Sequence, residues 1–149
     1  MLKRPYSRGF TLIETILAVA ITGFVLCGIL AMYTTCFVFM ATSKNVNIAT
    51  NAAQGLIEEI RTTPFTRIAG DYNGLNFMLN DISSSSGVVY VDDTDPELLE
   101  VTVSVCWKQS NRIIGEDTDL DGVLDAGEDA NGNGIIDSPV ELATRIANR

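Results

Sequence analysis

The chain has 149 residues, a formal net charge of −9, three cysteines and no histidine. That length holds one modest domain plus an N-terminal element. The acidic balance argues against a nucleic-acid partner. Without histidine the commonest general base and the commonest zinc ligand are missing, so no enzyme is expected.

The first nine residues carry Lys3, Arg4 and Arg8 and no acid, the positive charge of a cytoplasmic flank. Then comes Arg8-Gly9-Phe10-Thr11-Leu12-Ile13-Glu14, after which no charge occurs until Lys44. A lone carboxylate at the start of a membrane-length apolar helix is costly in lipid. Glu14 is therefore a functional candidate. The apolar stretch 16–41 is too long for the core of a secretory signal, and no small-x-small cleavage site ends it. Its length suits a transmembrane helix.

One helix is predicted from Phe10 to about Thr63, ~80 Å long at 1.5 Å per residue. Its first half is apolar all round. In its second half Val46, Ala49, Ala53, Leu56, Ile57 and Ile60 form a helical stripe, with Lys44, Asn47, Asn51, Glu58 and Arg61 off it. Pro64 ends the helix, since the residue before a proline avoids helical backbone angles. Cys27 and Cys36 fall on opposite sides of the apolar half. All three cysteines read as small buried hydrophobes rather than disulfide partners.

Residues 65–87 read as a connection lying on a head domain, with Phe77, Leu79 and Ile82 as its apolar anchors. A short strand 88–91 follows, then a turn at 92–96. Leu98–Lys108 alternates, with Leu99, Val101, Val103, Val105 and Trp107 on one face. Val140–Ala147 reads as the last strand, with Val140, Leu142, Thr144 and Ile146 on one face. The last two strands are expected to pair, in an antiparallel sheet with one side on the amphipathic half of the helix.

Between those strands lies an acidic insert, about 116–138. Asp117, Asp119, Asp121, Gly122, Asp125 and Glu128 match the twelve-residue calcium loop D-x-D-x-D-G-x5-E. Ca²⁺ takes six to eight oxygens at about 2.3–2.6 Å. Alternate aspartates can converge on one centre, and Gly122 allows the sharp turn. Val123 offers its carbonyl, Asp125 a direct or water-mediated contact, and Glu128 a bidentate cap. A degenerate second copy uses Asp129, Asn131, Asn133, Gly134, the Ile135 carbonyl and Asp137. Its twelfth position is Val140, which cannot cap, and Glu141 comes one residue late. No flanking helices are expected, so a structural role is favoured over a sensor that opens a groove.

The N-terminal segment resembles the leader and methylation motif of type IV pilins and type II secretion pseudopilins. Ala49–Phe65, Val101–Trp107 and Glu141–Asn148 are similar to minor pilins of the pilus-modification type. The insert resembles the helix-poor calcium loops of dockerin and thrombospondin type 3 repeats. The resemblance implies an α+β pilin fold, a long N-terminal helix packed on a small antiparallel head. It divides the chain into a leader (1–9), an apolar transmembrane or filament-core helix (10–41) and the amphipathic half-helix with its head (42–149). It implies cleavage by a prepilin peptidase between Gly9 and Phe10, methylation of Phe10, and assembly through Glu14 with other pilin subunits. The precursor is expected in the inner membrane, and the assembled form outside the cell or in the periplasm. Many major pilins have a proline midway through the apolar helix; Ala31 stands at the matching position here. A type II secretion pseudopilin and a tethered calcium-binding domain that does not polymerise remain the alternatives.

Overall fold

A computed structural model describes Gly9 and residues 11–148. Phe10, one half of the expected cleavage junction, lies outside the described residues, as does the basic leader up to Arg8. The chain divides between Ala41 and Thr42 into two compact units.

Helix α1 runs over Leu12–Thr62 without a break, and Gly23, Gly28 and Ala31 are all helical. Thr11 starts it. The amides of Glu14 and Thr15 donate to the Thr11 carbonyl at 3.1 and 3.2 Å, and the Glu14 amide also approaches Thr11 Oγ1 at 3.4 Å. Thr11-x-x-Glu14 is the pattern of a helix capping box. From residue 11 to residue 41 every described side chain is exposed. The threonine hydroxyls there turn back onto the helix: Thr22 donates to the Ala18 carbonyl at 2.8 Å, Thr34 and Thr35 to that of Ala31 at 2.8 and 3.0 Å. Polar groups satisfied within their own segment are what a hydrocarbon environment requires. The helix is long and apolar enough to cross a membrane.

In the second unit the predicted stripe is the core contact. Ala49, Ala53, Ile57 and Ile60 are buried, with Val46, Ala52 and Leu56 packed beside them. After Pro64 the chain forms a second helix, α2 (Phe65–Tyr72), within the stretch expected to be a connection. Ile68 anchors α2 in the core with no exposure. The Tyr72 hydroxyl ties it back to α1 through Thr63 Oγ1 and Glu59 Oε1, both at 3.2 Å.

The sheet has five strands: β1 (Asn76–Phe77), β2 (Ser85–Asp95), β3 (Leu98–Gln109), β4 (Arg112–Ile114) and β5 (Glu141–Ala147). β1 pairs with β2, and β2 with β3. The free edge of β3 is shared: β4 takes its Trp107–Gln109 end, and β5 takes Leu98–Ser104. All pairings are antiparallel. The expected pairing of the last two long strands is therefore present. The predicted turn at 92–96 is shorter, because β2 continues to Asp95 with a register irregularity after Asp92. Gly87 must be glycine: a Cβ there would lie 2.3 Å from the Phe77 ring on β1.

Leu99, Val101, Val103, Val105 and Trp107 face the helices and are buried, Trp107 completely. The opposite face of β3 is not simply solvated. Cys106 and Ser104 are each 1% exposed, and Cys106 lies under the insert, against Ile136. Val88, Cys106 and Ile136 form a second apolar cluster, with Tyr90, Leu120 and Leu124 against it.

Candidate functional site

The insert contains no helix or strand between Ile114 and Glu141. It is organised by carboxylates that accept backbone amides. Asp117, 1% exposed, receives the amides of Leu120 and Asp121 on Oδ1 at 2.6 and 3.2 Å and that of Gly122 on Oδ2 at 2.9 Å. Asp119 Oδ1 receives the Asp121 amide at 3.3 Å, and Asp121 Oδ1 the Val123 amide at 2.7 Å. Gly122 has φ +77°, the left-handed backbone that the sharp turn demands. Leu120 takes φ +63° without being glycine, a strained choice costing about 1 kcal/mol.

The second copy repeats this wiring. Asp129 receives the amides of Gly132 and Asn133 on Oδ1 at 2.6 and 3.0 Å and that of Gly134 on Oδ2 at 2.9 Å. Asn131 Oδ1 receives the Asn133 amide at 2.9 Å, and Asn133 Oδ1 the Ile135 amide at 3.0 Å. Gly134 has φ +79°. The degenerate loop thus has the backbone course of the complete one.

Glu128 closes the first loop. Its Oε1 accepts the Thr118 amide and hydroxyl, both at 2.7 Å, and its Oε2 the Asp125 amide at 3.1 Å. The Thr118 hydroxyl, then the Asp125 amide, hold the Glu128 carboxyl below the usual carboxylate range. Among the described residues Asp117, Asp119 and Glu128 bring ligand oxygens within 4.8 Å of one another, as do Asp119, Asp121 and Asp125. These groups could hold a metal ion. Partial desolvation, aided by the charges of Asp121, Glu128 and Asp117, pushes the Asp119 carboxyl up.

The second loop is closed by a residue that sequence spacing does not suggest. Glu116 Oε1 accepts the Ala130 amide at 3.3 Å and Oε2 the Asp137 amide at 3.2 Å. Ala130 and Asp137 hold the second and ninth loop positions, as Thr118 and Asp125 do in the first. The sequence signal was the Glu-Asp pair that heads both loops, Glu116-Asp117 and Glu128-Asp129. Asp137 also receives the side-chain amides of Asn131 and Asn133. The late Glu141 lies beside it; burial, and then the Asp137 charge, push the Glu141 carboxyl up. Val123 and Ile135 sit at the seventh positions, where their carbonyls were expected to serve.

Asn76 Nδ2 on β1 donates to the Asp121 carbonyl at 3.3 Å, two further bonds tie the insert to the sheet, and another joins its own ends. The Ile136 amide donates to the Tyr90 hydroxyl at 2.9 Å. Ser138 Oγ donates to the Val105 carbonyl. The Glu116 amide donates to the Asp137 carbonyl at 2.9 Å, closing the ends of the insert on each other.

At the other end of the chain Gly9 is exposed, and Glu14 lies in the first turn of α1 with its side chain exposed. A long helix whose second half packs on an antiparallel sheet is a pilin-like α+β layout. Residues 4–30 match the family described as the prokaryotic N-terminal methylation motif. The N-terminal segment is therefore a type IV pilin-like prepilin leader running into an apolar helix, as in a membrane-anchored precursor. No curated protein and no solved structure matches the chain.

Proposed function

We propose that the chain is a structural subunit, of the minor-pilin kind, of a type IV pilus or related filament, with no catalytic role. The observation that carries this reading is the methylation motif at residues 4–30, continuous with an apolar helix whose only early charge is Glu14. A prepilin peptidase cuts between Gly9 and Phe10, and Phe10 becomes the methylated N-terminus. In the filament the Glu14 carboxylate faces the cationic N-terminus of a neighbouring subunit, an ion pair that lipid makes valuable. The apolar side chains of residues 12–41 leave lipid for the same surfaces of other subunits. Assembly follows storage in the inner membrane, and the head ends outside the cell or in the periplasm.

Calcium is the ion this reading assigns to the insert. Hard oxygen donors, carboxylate-rich and without nitrogen or sulfur, suit Ca²⁺. Asp117, Asp119, Asp121, the Val123 carbonyl, Asp125 and Glu128 hold the first ion. Asp129, Asn131, Asn133, the Ile135 carbonyl and Asp137 hold a second, with Glu116 closing that loop through the Ala130 and Asp137 amides. The ions order the segment that joins β4 to β5.

The Thr11-x-x-Glu14 spacing also fits a capping box, which is the competing structural reading of Glu14, and two substitutions separate the two. Glu14→Gln retains an N3 side chain suited to the box and removes the charge; Glu14→Val removes both. In cells that make the filament, the subunit is quantified in sheared filament and in membrane. The assembly role predicts that both variants are processed, stay in the membrane and enter the filament poorly. Normal incorporation of Glu14→Gln would leave only the cap.

A further inference from the structure

Glu116 stands immediately before the first loop and closes the second; Glu128 ends the first loop, closes it, and stands immediately before the second. Each glutamate spans the second and ninth amides of one loop. The two loops therefore do not close independently. The glutamate just before each loop is held by the amides of the other, and the Glu116–Asp137 backbone bond joins their far ends.

We propose that Glu116 and Glu128 couple the two loops into one cooperative strap across the second face of the sheet, which opens as a whole. Three features carry this beyond the hydrogen bonds of either loop alone. The apolar side chains at the eighth positions, Leu124 and Ile136, enter one shared cluster with Val88 and Cys106, so neither loop can lift without disturbing the other's seat. Ile136 is 1% exposed and is the deepest apolar anchor of the insert. The strap spans the connection between β4 and β5, and both of these strands hold the same edge of β3. Opening the strap therefore frees the chain on both sides of that edge. The inference rests on the calcium reading only for the ion that loads the loops; the coupling itself belongs to the two glutamates.

Amide hydrogen exchange on the full chain in detergent tests it. Wild type is measured first with calcium and with chelator. Equal protection in both conditions would count against calcium and leave the coupling testable. Absence of protection in both would overturn the coupling. In the condition that protects wild type, Glu116→Ala is then compared with it. The proposal expects the first-loop amides of Leu120, Asp121 and Gly122, which donate to Asp117 and Asp119 and not to Glu116, to exchange about tenfold faster or more, the scale of one lost charge-assisted hydrogen bond. They should accelerate together with Ala130 and Asp137. Glu128→Ala should likewise release Gly132, Asn133 and Gly134. Acceleration confined to the amides bonded to the missing glutamate would overturn the coupling. If β2 and β3 amides open as well, the comparison is read on Glu116→Gln, which keeps one acceptor oxygen. Equal, smaller acceleration in both loops supports the coupling, and acceleration in the second loop alone overturns it.

Discussion

The hydroxyl of Tyr90 accepts the amide of Ile136 at 2.9 Å, fixing the acidic insert to the face of the sheet turned away from the helices. Burial pushes the Tyr90 phenol up, as expected for a group covered by the insert. Tyr90→Phe keeps the ring in the apolar cluster and leaves the Ile136 amide without its acceptor. The expected loss is about 1–2 kcal/mol, read by thermal unfolding, with faster exchange at Ile136 itself.

Cys106 lies under the same strap, 1% exposed, its Sγ 3.9 Å from the Asp137 carbonyl. Desolvation by burial pushes the thiol up, so it is neither accessible nor ionised near neutral pH. Alkylation followed by peptide mass spectrometry should find Cys106 unmodified in the folded head and labelled after denaturation. Labelling without denaturation would mean that the insert does not cover β3 in solution.

Ser104 Oγ is the one buried side-chain polar atom, among the described residues, with no hydrogen-bond partner. Ser104→Ala should be neutral or stabilise by up to about 1 kcal/mol, because a buried hydroxyl left unpaired costs free energy. A large loss on Ser104→Ala would point to a bond that the static arrangement omits.

Where a periodic pattern spans many residues, the chain's sequence is a good guide to its structure. The β3 face from Leu99 to Trp107 and the α1 stripe from Val46 to Ile60 are legible because each alternates or repeats over several turns. Helix α2 is not. Its Phe65, Ile68, Ala69 and Tyr72 do recur at helical spacing and pack on the core, but over only eight residues directly after Pro64, a stretch shorter than the window that separates a helix from a connection. β1 and β4, of two and three residues, are shorter than any pattern window. At the acidic insert the twelve-residue spacing found Asp117 to Glu128. It missed Glu116, because a cap supplied from upstream is a fact of three-dimensional return rather than of forward spacing. Cys106 is buried as expected, whereas Cys27 and Cys36 are exposed on the apolar half of α1; the burial of Ser104 was not legible, because a serine on the alternate face of a strand predicts solvent.

Calcium should act on the head's stability through the insert. Ion binding to the folded state alone stabilises by mass action, and extracellular modules commonly bind calcium at about 10⁻⁴–10⁻³ M. Asp119→Ala or Asp121→Ala should lower the Tm of the head in millimolar calcium and change it little in EDTA. Glu116→Ala should reduce calcium uptake at the second loop, read by calorimetry. Equal Tm in calcium and EDTA, with no heat of binding, would reduce the insert to a solvated acidic loop.

The central proposal is that the chain is processed as a prepilin, with a mature form that starts at Phe10. Intact-mass and N-terminal peptide mass spectrometry of the protein, recovered from membrane and from sheared filament, tests it most directly. The account predicts a filament subunit that begins at Phe10, one methyl group heavier than the unmodified residue, with Gly9→bulky variants held in the membrane at full length. A filament or membrane subunit that retains Met1 and an unmodified Gly9–Phe10 bond, in cells with an active prepilin peptidase, would contradict it.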